Sequence, residues 1–481
     1  MLAPNDRAIY VEALTPPVGF ELTEAIATTY SADLETLVGI PIHLAIQDYG
    51  IPEDLDASTL QILLAFRRLA KRLTIFVHGG CIAAPTRPHR LFAQIEPVLV
   101  EASGPQGALH AKLWVLRFER AGEVRLRMIV PTRNLTTSRA WDAALVLDGL
   151  VTRSPDRRNR PIADLLNQLP ALARGSVSDA VRERCARLAE DVRRTVWEAP
   201  PGWDLVGFEV LGLARTRSLP FEDSDELVIV SPFVVNEAIR GLLETTKKGR
   251  ALIARPEELA KLQPDLRTRF EDCYVLADDA SSDPDGEELD AKLRGLHAKL
   301  YFAQKGATTN LWIGSANATR AGLYGHNLEI LAQLSTRKSK PIEELLSERG
   351  IADLLEPFDP KVAPEVETEL AARLEVARQA LVDAPLSLHA RADGSAWHLE
   401  VETASPIVLE PGVSLRAWPV TLDRSLAVDA SELAPGRSVA LARGDQADLT
   451  SLVGFELGSD GEYVRFVRNL PIDGVPETRE S

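Results

Sequence analysis

The stretches "ALHAKLWV" (Ala108–Val115) and "GLHAKLYF" (Gly295–Phe302) carry the same pentapeptide, Leu-His-Ala-Lys-Leu, each time followed by an aromatic residue. On a strand, side chains alternate between faces, so His and Lys of each copy point to one side and Ala to the other. Each copy thus sets a nucleophile or proton carrier beside a cation. A further strand on, each copy has an asparagine after a small hydroxyl residue: Thr132 and Asn134 in "PTRN", Ser315 and Asn317 in "GSAN". A carboxylate follows at the start of the next strand, Asp142 in "AWDAALVL" and Glu329 in "HNLEILAQL". Either could bind a histidine ring and fix its tautomer.

The flanking pattern repeats too. Strand-like "AIATTYS" (25–31) and helix-like "ADLETLVG" lead through a helical stretch at 58–73 to the strand "TIFVHG", then "PVLVE" and three further strand-like runs. In the second half the strand "ELVIVSPFV" (226–234), the helix "NEAIRGLLETT" and the strand "ALIAR" precede the short helix "PEELAKL", the strand "CYVLA" and the second motif. The order predicts two copies of one mixed α/β unit. The expected division is a first unit with a helical connector over 1–200, a second unit over 201–345, a helical linker over 346–384, and an antiparallel β domain over 385–481.

The 481 residues exceed one ordinary core. At 45% hydrophobic and 26% charged the composition is globular. Apolar runs are of strand length, short of a membrane span, and the N-terminus lacks the pattern of a signal peptide. A cytoplasmic protein without membrane contact is expected. Cys81, Cys185 and Cys273 stand singly, so neither metal nor other cofactor is expected. The net charge of −16 excludes a general nucleic-acid coat and argues against adhesion to anionic lipid. A polyanion would have to be met by a local basic site.

Two His, two Lys and two Asn suit a phosphodiester. Lys112, Lys299, Asn134 and Asn317 can grip the non-bridging oxygens. One histidine can attack phosphorus while the other protonates the leaving oxygen and then activates water. Arg117, Arg120, Arg125, Arg127, Arg133 and Arg139 form either a solvated strand pair or a basic wall for a nucleic-acid backbone. Trp141 and Tyr324 follow the two asparagines at similar distances and belong to the core or stack on a base.

These motifs resemble the phospholipase D superfamily, whose signature pairs HxK with GSxN in two copies that build one active site. Pro131-Thr132 stands where the first copy would have Gly-Ser. Arg117 and Gln304 lie near the places of the signature aspartate, and its loss looks like the tyrosyl-DNA phosphodiesterase branch, as do "TRNLTTSRAW" and "SANATRAGLYG". The resemblance spans roughly residues 20–335. It implies two pseudo-twofold-related units sharing one site and a metal-independent phosphodiesterase with a phosphohistidine intermediate. His110 would be the nucleophile and His297 the general acid and base. A nuclease or DNA-end-processing enzyme follows, with DNA the favoured substrate. Other readings stay open: a phospholipid hydrolase or phosphatidyltransferase, or a catalytically quiet subunit of a multi-protein system such as antiviral defence, docking a protein partner through its β tail.

Overall fold

The computed structural model describes residues 10–49, 66–137, 140–214, 219–277, 295–337, 341–348, 350–361, 368–394 and 396–475. It is a mixed α/β structure that separates into two compact units. One comprises Met1–Tyr30, Ser103–Leu172 and Ser178–Glu365; the other comprises Ser31–Ala102, Ala173–Val177 and Val366–Ser481. Both copies of the repeated motif fall in the first of these.

Two sheets carry the motifs. In the first copy, strands Glu21–Thr29, Leu113–Arg120, Glu123–Pro131, Ala144–Val151 and Thr195–Trp197 lie side by side in that order, each antiparallel to the next. In the second copy, Ser224–Val230, Leu300–Lys305, Thr308–Gly314, Glu329–Thr336 and Asp204–Leu211 repeat that order, again antiparallel. The registers agree as well. Thr28 pairs with Leu113 and Val230 with Leu300, each partner being the residue after a motif lysine. Pro131 pairs with Ala144 and Gly314 with Leu331, each partner lying two residues past a carboxylate. A repeated hydrophobic pattern has produced a repeated register, since a slip of one residue would turn each strand's buried face to water.

The second sheet continues with Thr246–Ile253 and Phe270–Leu276, parallel to their neighbours, and ends in Leu355–Pro357. The helix Asn236–Glu244 makes the crossover between the first parallel pair. Its Ala238, Ile239, Leu242 and Leu243 recur at helical spacing and bury against Leu227, Ile229, Leu252, Tyr301 and Trp312. Between the copies, helices Arg160–Leu172 and Asp179–Arg193 pack on apolar stripes of the same kind. Ser178 caps the second by accepting the Val181 N–H.

One helical expectation lies partly outside the described residues and another is modified. Of the helix expected over 58–73, residues 58–65 lie outside the described ones. The stretch "KPIEELLSERGIADLLEPF" reads as helical, but it forms the short helix Pro341–Leu345, a single turn Ala352–Leu354 and the edge strand Leu355–Pro357. Gly350 explains the break: a Cβ there would lie 2.2 Å from the Leu345 carbonyl oxygen, so the backbone doubles back where only glycine fits.

The other unit holds the parallel pair Leu73–His78 and Leu99–Ala102 and the helix Leu34–Tyr49. The alternating runs of the tail form strands of a six-stranded and a four-stranded sheet. Helix Glu369–Asp383 buries Leu374, Ala377, Leu381 and Val382 in their shared core. Residues 31–102 group with this tail. The buried Arg468 donates to Glu101 at 2.6 Å, and Glu101 also accepts the Asn469 N–H.

Candidate active site

Every motif residue sits at one edge of its sheet. His110-Ala111-Lys112 enters the strand Leu113–Arg120, Thr132 and Asn134 leave the strand ending at Pro131, and Asp142 precedes the strand beginning at Ala144. His297-Ala298-Lys299, Ser315, Asn317 and Glu329 occupy the same places in the second copy.

The same bonds hold each edge together. Thr132 N–H donates to Ala143 O, and its Oγ1 accepts the Ala143 N–H at 2.9 Å. Ser315 does so with Ile330, its Oγ accepting that N–H at 3.0 Å. The preceding Gly314 lies so close to the next strand that a Cβ would fall 2.0 Å from the Ile330 carbonyl oxygen, which accounts for glycine in "GSAN". Two further residues, missed in the sequence, complete the frame. Thr29 Oγ1 accepts the N–H of Leu135, next to Asn134, and Ser231 Oγ accepts the N–H of Ala318, next to Asn317. The signal was present: a hydroxyl residue closes the opening strand of the first copy and directly follows that of the second, in "ATTYS" and in "IVSPF".

Bridges link the copies reciprocally. Leu109 pairs with Leu328, and Leu296 pairs with Trp141. His110 N–H donates to Leu328 O, and His297 N–H donates to Trp141 O. The segment ahead of each HxK therefore runs beside the segment ahead of the other copy's carboxylate.

One consequence is a histidine–carboxylate pair built from both copies. His110 Nδ1 lies 2.7 Å from Glu329 Oε1, and neither atom has another hydrogen-bond partner. Glu329 is fully buried and also accepts a hydrogen bond from the Ser315 hydroxyl. Burial works to raise the Glu329 pKa, but the His110 ring and Lys112 outweigh it and hold the group below the ordinary carboxylate value. With Nδ1 facing Glu329, Nε2 of His110 is turned to Lys112 Nζ at 3.2 Å. Tyr30 flanks this ring at 5.1 Å between centroids.

His297 stands differently. Its Nδ1 is 3.3 Å from the Thr132 carbonyl oxygen and 3.2 Å from Lys299 Nζ. Asp142, the first copy's carboxylate, faces Arg133 at 3.6 Å. Burial, then the charges of Lys299 and Lys112, pull the His297 pKa down to about 2. Burial also lowers His110, opposed by Glu329 and assisted by both lysines.

The lysines are buried to 1% exposure, and each donates to the backbone carbonyl of its own motif histidine, Lys112 at 2.9 Å and Lys299 at 2.6 Å. Burial brings Lys112 to about 8. Burial and the like charge of Lys112 bring Lys299 well below its ordinary value. Two buried lysines near enough to act on each other and on His297 are the feature here that suits an anion, while Asn134 and Asn317 each leave a buried side-chain oxygen, an acceptor, without a partner.

The remaining sequence candidates are distributed as follows. Arg117 pairs with Asp191 and Glu119, Arg125 with Glu123, and Arg127 with Asp148. They lie toward the hairpin at 121–122, opposite to the motif edge, each paired with a carboxylate; Arg125 is solvated, whereas Arg117 and Arg127 are largely buried. Arg133 is at the motif edge and donates to Thr136 O at 2.6 Å. Arg139 lies outside the described residues. Trp141 is half-buried and supplies the bridge to Leu296. Tyr324 packs against the core of the second copy; a Cβ on Gly241 would lie 2.4 Å from its hydroxyl, so packing accounts for its place. His326 is exposed.

No protein-family model matches the chain, and no curated protein matches it. Among solved structures, the chain is similar to a variant of yeast tyrosyl-DNA phosphodiesterase, with a TM-score of 0.40 and 11% identity, covering 69% of this chain and 86% of that one. A second variant, of yeast tyrosyl-DNA phosphodiesterase 1, gives 0.39 and 13%, covering 66% and 84%.

Proposed function

We propose that the protein is a phosphodiesterase of the phospholipase D type that acts on nucleic acid, DNA first, through a phosphohistidine. The two copies contribute to one site about a pseudo-twofold axis. The observation that carries this is the His110–Glu329 pair, which joins a ring of one copy to a carboxylate of the other beside two buried lysines.

The chemistry balances on these residues. Glu329 holds His110 Nδ1–H, so the Nε2 lone pair attacks phosphorus and forms a P–N bond as the bond to the leaving oxygen breaks. His297 donates a proton to that oxygen. Water then attacks phosphorus, giving a proton to His297, and the P–N bond breaks to regenerate His110. Lys112, Lys299, Asn134 and Asn317 stabilise charge on the non-bridging oxygens, so the positive charge the reaction needs is supplied by side chains. Burial, then the charges of Lys299 and Lys112, disfavour a proton on His297; a phosphodiester anion opposes the lysine part of that effect and so favours the protonated ring that must donate.

The test is to incubate the protein in EDTA with labelled DNA and RNA oligonucleotides and phospholipids. Cleavage of an oligonucleotide is expected. Cleavage of phospholipid alone would transfer the site to lipid chemistry. Loss of activity in EDTA, restored by a divalent ion, would contradict a lysine-based mechanism, and no cleavage of any substrate would favour a quiet interaction subunit.

A further inference from the structure

Phe233 is a large apolar side chain 38% exposed, in the loop that leaves the strand Ser224–Val230 at the motif edge of the second sheet. The loop is built to hold it there. Ser231 Oγ donates to Phe233 O at 2.8 Å while accepting the Ala318 N–H, and Val235 N–H donates to Ala318 O. Ala318 follows Asn317, so the loop is bonded to the asparagine turn. Val234 is buried between Phe233 and Val235, both exposed, which points the aromatic ring outward. Its N–H reaches Glu258, whose charge is met by Lys261 at 2.8 Å.

Over the ring lies Arg255, its guanidinium carbon 4.6 Å from the centroid. Arg255 leaves the end of the neighbouring strand Thr246–Ile253, at the same edge, and donates weakly to Leu296 O at 3.4 Å. Leu296 precedes His297. The Arg255 charge also acts on His297 and Lys299. Phe233 and Arg255 are thus tied by short backbone paths to Asn317 and His297, and they put an aromatic face and a cation on the margin of the phosphate site.

We propose that Phe233 and Arg255 form a platform for single-stranded nucleic acid, on which a base next to the scissile phosphate stacks on Phe233 while Arg255 holds a neighbouring phosphate. This rests on the nucleic-acid reading above and adds the substrate's form: an unpaired nucleotide, since only an unstacked base offers its face to a side chain. Aromatic stacking tolerates any base, so the platform selects strandedness over sequence.

The test is equilibrium binding by fluorescence anisotropy. A labelled single-stranded oligonucleotide is compared with one of equal length carrying abasic sites, whose backbone charge is the same. The full-length protein should prefer the base-bearing strand by about tenfold or more, within the range of one stacked base. Phe233→Ala and Phe233→Leu should reduce that preference toward one, and Phe233→Trp should keep it. Arg255→Ala should weaken both strands and lower the dependence on salt by about one phosphate contact. Circular dichroism shows whether each variant is folded; if Phe233→Ala is not, Phe233→Leu and Phe233→Trp decide. An equal preference in folded Phe233→Leu and wild type, or no preference in wild type, overturns the proposal. Turnover is not read in this experiment, so failure of the platform is separate from failure of the phosphodiesterase reading.

Discussion

Glu329 and His110 lie 219 residues apart in the two copies of a repeated motif, and their side chains meet at 2.7 Å. Asp142, the counterpart of Glu329, instead faces Arg133. The two histidines are therefore chemically distinct. Glu329→Gln should lower turnover of a phosphodiester by about 10²-fold or more, because the tautomer and charge that aim Nε2 are lost. Asp142→Asn should cost less. Steady-state rates of the two variants check this, and equal losses would mean that the asymmetry has no catalytic meaning.

Burial brings the Lys112 pKa to about 8, and the group attracts an anion only when charged. The kcat/KM for a small phosphodiester should therefore be supported below about pH 8 and fall as pH rises through it, since this parameter reports the free enzyme. Lys112→Arg should move that limb upward, whatever its absolute rate, because guanidinium stays protonated. A profile flat to pH 10 in the wild type would contradict the assignment.

The same burial has a cost in stability. A Lys112 pKa lowered from 10.5 to about 8 means that the unfolded chain binds more protons than the folded one between those values, so this term stabilises the fold as pH rises through the window. Below about 8 the full cost is present. It is at most about 3–4 kcal/mol at roughly 1.4 kcal/mol per unit. Lys112→Met should abolish turnover yet raise the urea midpoint at pH 7, with the gain shrinking toward pH 10. A lower midpoint at pH 7 would show that the lysine's hydrogen bonds outweigh its desolvation.

Thr29 and Ser231 accept the N–H groups beside the two asparagines. Thr29→Val and Ser231→Ala should each destabilise the fold by about 1–3 kcal/mol, the cost of a buried donor without a partner. Both should also lower turnover at temperatures where the variants remain folded. Urea titration and rates measured together check this, and unchanged values for both would remove these residues from the frame.

Much of this was legible in the chain. His110, Lys112, Asn134 and their counterparts could be found because chemistry demands particular residue types at strand spacing, and a spacing of two is visible in sequence. Strand order was legible because the hydrophobic pattern recurs in the same order. Partnership was not. Nothing along the chain shows that Glu329 serves His110 of the other copy, because the bridges Leu109–Leu328 and Leu296–Trp141 arise only when the sheets meet. Thr29 and Ser231 escaped notice because a hydroxyl at a strand end is commonplace until its acceptor role is seen. The sequence leaves the arginines at 117–127 open between a strand pair and a basic wall, because two of their carboxylate partners, Asp148 and Asp191, are distant along the chain. Gly350 was passed over because the helical pattern around it is strong, while the close approach to Leu345 is tertiary.

The central claim is that His110 becomes covalently bonded to phosphorus. The most direct measurement is to mix His297→Ala with a phosphodiester carrying a good leaving group, quench at alkaline pH where phosphohistidine survives, and map the adduct by mass spectrometry. A good leaving group needs little protonation, so the first step proceeds without His297 while hydrolysis of the adduct stalls. An adduct is expected on His110 in His297→Ala and none in His110→Ala. An adduct on His297 in His110→Ala, with none in His297→Ala, would reverse the roles, and turnover in both variants without any adduct would contradict the covalent mechanism.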